Sequence, residues 1–152
     1  MIPTPVRPVI NHLAISVDAA VMDTAGRAAL VDFFGEVFGW VEGDNSTETG
    51  DPLILYTGEM RQYLYLLPAT DHFLRAPHLD HIGLEVRSVE ELADIVDRAR
   101  RFQRKDDRVT VIDIDVMVTH GTVSDFTLTH AYVGFLIPLL VELQHITERP
   151  QG

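Results

Sequence analysis

Two histidines sit in near-identical settings: Asn11-His12-Leu13-Ala14-Ile15-Ser16-Val17 is echoed, half a chain later, by Asp80-His81-Ile82-Gly83-Leu84-Glu85-Val86. In both heptads the large aliphatics alternate, which is the period-two pattern of a half-buried strand. Each histidine then shares the opposite face with a small residue, Ala14 or Gly83, which leaves room in front of the imidazole. The chain has no cysteine, so any metal must be held by imidazole and carboxylate. A second cluster follows from hairpin geometry. With Pro138 marking a turn centred near Ile137, Tyr132 opposes Glu142 and His130 opposes Gln144, all on one sheet face. A hydroxyl and an imidazole placed there can orient a substrate oxygen and move a proton, so Tyr132 and His130 are the candidate catalytic residues. His120 is a weaker candidate within or beside the same sheet, and His72 and His78 are expected at the surface.

The elements that must position these side chains repeat as well. After the first strand, Leu30, Phe33, Phe34, Val37 and Phe38 recur at helical spacing up to Gly39. After the second, Ser88 and Glu91 read as a capping box, and Leu92, Ile95, Val96 and Ala99 form the buried stripe of a helix. Three strand candidates follow each helix: residues 40–42, 53–57 and 62–67 in one half, and 109–119, 126–134 and 139–145 in the other. The chain is expected to be one domain over residues 1–152, made of βαβββ halves at 9–68 and 79–147. Pro68 and Pro77 bracket the connection.

Composition bounds the function. At 152 residues and 46% hydrophobic content there is enough apolar mass for one core. The net charge of −11 and the absence of a long basic run argue against nucleic-acid binding. Residues 1–9 hold no continuous apolar stretch, and no run of eighteen apolar residues occurs anywhere. The expectation is a soluble cytoplasmic protein with no membrane partner. The apolar run at residues 135–140 is expected beneath a second subunit, which makes a homodimer the expected assembly.

A paired βαβββ layout with a histidine on the first strand of each half resembles the vicinal oxygen chelate superfamily. That superfamily holds glyoxalases, methylmalonyl-CoA epimerase, extradiol (dihydroxybiphenyl) dioxygenases and bleomycin resistance proteins. The resemblance spans residues 12–145 and is carried by the two histidine strands, by Phe33-Phe34-Gly35-Glu36-Val37-Phe38-Gly39-Trp40, and by Val141-Glu142-Leu143. It implies an α+β fold whose two tandem modules form a cupped mixed sheet, with ligand positions at His12, Tyr65, His81 and Glu142. A neutral phenol is a poor divalent ligand, so the implied metal set is His12, His81 and Glu142, with His12 and His81 on adjacent strands. Two imidazoles and one carboxylate suit Fe, Mn, Zn or Ni. The implied function is a metal-dependent enzyme of glyoxalase or dioxygenase type, acting on a small substrate that chelates the metal through adjacent oxygens. The competing reading is a metal-free protein binding an antibiotic or aromatic ligand, with Trp40, Tyr56, Tyr63, Tyr65 and Phe126 as walls.

Overall fold

The computed structural model describes residues 9–44, 50–59 and 61–150. The N-terminal segment through Pro8, read above as free of a leader, lies outside the described residues. Ten elements follow in order: β1 His12–Asp18, α1 Thr24–Phe38, β2 Val41–Glu42, β3 Leu53–Tyr56, β4 Tyr63–Ala69, β5 His81–Glu85, α2 Val89–Gln103, β6 Thr110–His120, β7 Ser124–Gly134 and β8 Leu140–Pro150. They form two four-stranded mixed sheets, ordered β1-β4-β3-β2 and β5-β8-β7-β6. In each, the first strand runs parallel to the last and the remaining pairs are antiparallel. The α+β class and the tandem βαβββ modules are thus as the sequence implies.

Alternation decides which face each strand buries. Ile15, Val17, Leu53, Leu55, Leu64 and Leu66 all point into the core, as do Ala131, Val133, Val141 and Leu143 of the second sheet. Asp23 caps α1 by accepting from the Gly26 N–H at 2.7 Å, and Gly39 ends it at φ 74, a conformation glycine adopts without a Cβ clash. Ser88 accepts from the Glu91 N–H at 3.2 Å, while the Glu91 carboxylate takes the Arg87 N–H at 2.8 Å. The capping box therefore closes one residue upstream of its usual return partner.

The halves meet through the helices. Phe33 of α1 lies 5.3 Å from Phe102 of α2 and 4.6 Å from Phe135, ring to ring, and Arg98 Nε donates to the Val37 carbonyl at 2.8 Å. Among the described residues β1 pairs only with β4 and β5 only with β8. His12 and His81 are therefore not on adjacent strands of the chain, contrary to the sequence expectation: the helices join the halves, and the two histidine strands are left as sheet edges.

Three other expectations change. Within the apolar run at residues 135–140, Phe135 is packed against Phe33 and Phe102 of the chain's own helices and Ile137 is buried, while the other four residues are half-buried. Trp40 is core, stacked on Phe34 at 4.9 Å, and cannot line a ligand site. Pro68 sits inside β4 instead of ending it, opposite Val17.

Candidate metal and substrate site

Val141 and Leu143 are drawn into the core, so Glu142 between them must point to the other face of the second sheet. Its cross-strand neighbours are Gly83 on β5 and Tyr132 on β7, while Gln144, the next residue on that face, opposes His130. Hairpin counting from the sequence predicts the same two pairs. Glu142 is only 3% exposed, which for a carboxylate demands compensation.

That compensation comes from four side chains. His130 Nδ1 lies 3.0 Å from Oε1, His81 Nε2 lies 3.0 Å from Oε2, and the Gln144 amide and the Tyr132 hydroxyl also donate to the carboxylate. Burial alone raises the Glu142 pKa, but the bonds from Tyr132, His130 and Gln144, with the charge of His81, outweigh it and hold the group below the ordinary glutamate range. Tyr132 moves the opposite way: burial, then its bond to Glu142 and that carboxylate's charge, raise it and keep the phenol protonated at neutral pH.

The tautomer of His81 is informative. Its Nδ1 is 2.7 Å from the Leu79 carbonyl, which can only accept, so Nδ1 carries the hydrogen. Nε2 then faces a carboxylate oxygen, and two lone pairs cannot sit 3.0 Å apart unless a proton or a metal ion lies between them. A backbone carbonyl on Nδ1 is also the arrangement that orients Nε2 as a metal ligand. His130 presents a different state: with Nδ1 donating to Glu142, its Nε2 is buried and lacks a hydrogen-bond partner in the described structure.

His12 stands apart from this group. It is exposed on β1, with Nδ1 2.8 Å from the Asn11 side-chain oxygen and its ring stacked 4.8 Å from Tyr63. As in His81, that bond leaves Nε2 for another partner. Ala14 opposes Tyr65 as Gly83 opposes Glu142, so Tyr65 occupies the matching place in the first sheet. Within the single chain the described residues hold no group of three His, Asp or Glu side chains able to bind one metal. His120 is far along the sheet, paired with Asp125 at 3.1 Å. Gln144 escaped the sequence reading as a partner of Glu142, although its place two residues on, on the same face, was the signal. Two depressions, of about 800 and 520 Å³, flank β1, and neither includes His81 or Glu142.

No protein-family model and no curated protein matches the sequence. Solved structures do match. The fosfomycin resistance protein FosX of Listeria monocytogenes aligns at TM-score 0.57 and 13% identity, covering 93% of this chain and 94% of its own. A possible glyoxalase from Bacillus cereus aligns at 0.52 and 16%, covering 89% and 96%. An integron cassette protein of V. cholerae aligns at 0.52 and 16%, covering 93% and 98%. Also, no described helix is long and apolar enough to cross a membrane. The two βαβββ modules, their parallel first and last strands and these whole-length alignments together show that the chain shares the fold of these glyoxalase- and FosX-like structures.

Proposed function

We propose that the protein is a metal-dependent enzyme acting on a small molecule that chelates the metal through adjacent oxygens, and that it works as a homodimer. In this reading His81 and Glu142 of one chain are joined by His12 of the partner subunit. The observation that carries it is His81 Nε2 set 3.0 Å from the Glu142 carboxylate with Nδ1 already committed to Leu79. The donors are imidazole and carboxylate, which fit Fe, Mn, Zn or Ni.

The open edges support assembly from two copies. Asp80 and Val86 bond inward to β8, so by alternation the backbone groups of His81 and Gly83 point outward, and those of His12 and Ala14 do the same on β1. Unpaired edge groups are a template for another strand. Among the described residues the β1 edge is covered toward its far end, where the Leu74 N–H donates to the Ser16 carbonyl.

A divalent ion bound there supplies Lewis acidity, stabilising negative charge on the chelating oxygens of the substrate. The chain's own groups do the rest. Glu142 supplies the anionic ligand, Tyr132, whose one hydroxyl proton is bonded to Glu142, positions that carboxylate, and His130 Nε2 is the buried base able to take up a proton.

Complementation tests the reading. His12→Ala and His81→Ala proteins should each lose metal retention and activity, and unfolding and refolding them together should restore metal to part of the mixture, because a hybrid dimer contains one intact site. A mixture as empty as its components would mean that no site is shared between copies. The competing reading, a metal-free binder of aromatic ligands, draws on Tyr56, Tyr63 and Tyr65, which share one face of the first sheet with His12. Elemental analysis of the isolated protein separates the two.

A further inference from the structure

The face of the second sheet that carries Glu142 can be followed strand by strand in rows. The first row is Gly83, Glu142, Tyr132 and Ile112, and the second is Glu85, Gln144, His130 and Asp115. Beyond them the face turns mainly apolar. The third row is Ile146, Leu128 and Met117, and the fourth brings Phe126 between Glu148 and Thr119. These apolar groups are not core: Ile146 is 49% exposed, Met117 50% and Phe126 40%. Successive rows are roughly 7 Å apart, two residues of strand rise, so the apolar shelf begins about 14 Å from Glu142 along the sheet.

Charge on this face is one-sided. Glu85, Asp115, Glu142 and Glu148 lie on it, whereas the one described Lys or Arg of β5 to β8, Arg149, opposes Asp125 on the other face. A phosphate, phosphonate or carboxylate tail meets carboxylates here and no cation, and would lose its hydration without replacement. An uncharged apolar body meets side chains it can desolvate favourably.

We infer that the substrate is an elongated molecule with an oxygen-bearing head at Glu142 and an uncharged apolar body that runs along β7 and β8 onto Leu128, Met117, Ile146 and Phe126, instead of a small anion. The inference rests on the reading of Glu142 as the head-group site, but the apolar shelf can be probed whether or not metal is present.

Two hydroxamates share one chelating head and differ only in the tail. Acetohydroxamate and decanohydroxamate, titrated calorimetrically into the isolated protein of measured metal content, should differ at least 100-fold in affinity, the long tail binding more tightly. Ile146→Asp, with Met117→Ser as a milder second change, should reduce that advantage at least tenfold and leave acetohydroxamate affinity and metal content as they were. Equal affinity of the two compounds, or a tail advantage that survives both substitutions, overturns the inference. So does tighter binding of methylphosphonate than of decanohydroxamate. Dissociation of a dimer into 17.1 kDa chains by Ile146→Asp also overturns it, because the shelf would then be covered by the second copy. Loss of metal from the unaltered protein, with the tail effects intact, counts against the metal reading alone.

Discussion

Glu142 holds a full charge where water hardly reaches, and the donors on His130, Gln144 and Tyr132 make that tolerable. Glu142→Ala should therefore destabilise even the metal-free protein. The truncation strands His130, Gln144 and Tyr132 without their acceptor, and buried donors left unpaired cost on the order of 1–3 kcal/mol. Urea denaturation of metal-free protein should show that loss at neutral pH, alongside loss of retained metal after dialysis. The pH dependence follows from the same contacts. A carboxyl whose folded pKa is depressed contributes stability above its unfolded value, and loses that contribution as pH falls through the folded value. The stability gap between wild type and Glu142→Gln, measured without metal, should accordingly be widest near neutrality and shrink on acidification below the ordinary glutamate range. A gap constant with pH would show that shape, not charge, is what the site requires.

Helices and hairpins carry their own tests. Gly26 and Gly35 both lie in α1, yet a Cβ on Gly26 would come 1.9 Å from the Val21 carbonyl oxygen, while on Gly35 the nearest atom is 3.6 Å away. Gly26→Ala must push backbone aside and should destabilise by about 1–3 kcal/mol. Gly35→Ala relieves a helical glycine and should stabilise by about 0.5–1 kcal/mol. Parallel denaturation curves decide both. The last hairpin, whose register was predictable from the sequence, turns through Leu136 at φ 59, a left-handed conformation that a branched side chain adopts at a cost. No residue type announces that strain; it follows from Phe135 and Ile137 on either side both being drawn into the core.

For the whole molecule, the expected assembly is a dimer with a different contact from the one read off residues 135–140. Phe135 and Ile137 of that run are buried in the chain's own core, and the surfaces left open for pairing are the edges of β1 and β5. Sedimentation at micromolar concentration should give twice the chain mass of 17.1 kDa, with roughly 1,200–2,000 Å² buried in total. A single-chain species would reject both the dimer and the shared site. Metal added to His12→Ala protein should not raise its dimer content above that of the metal-free wild type, since the ion would lack its link between copies.

What the sequence by itself determined is local and periodic. The alternation of Leu13, Ile15 and Val17 and of Ile82, Leu84 and Val86, the caps at Ser88 and Gly39, and the pairing of Tyr132 with Glu142 all depend on neighbours a few residues away or across one tight turn. Strand ends were less visible, and β8 runs on to Pro150 because exposed strands at the sheet's far end carry no burial pattern to mark them. Only the tertiary structure decided how the halves sit. Phe33, Phe102 and Phe135 bring α1 and α2 together, and this packing leaves His12 and His81 on separate sheet edges. It also decided that Glu142 is satisfied by His130 and Gln144, because a buried charge takes its partners from whichever strands the core aligns beside it.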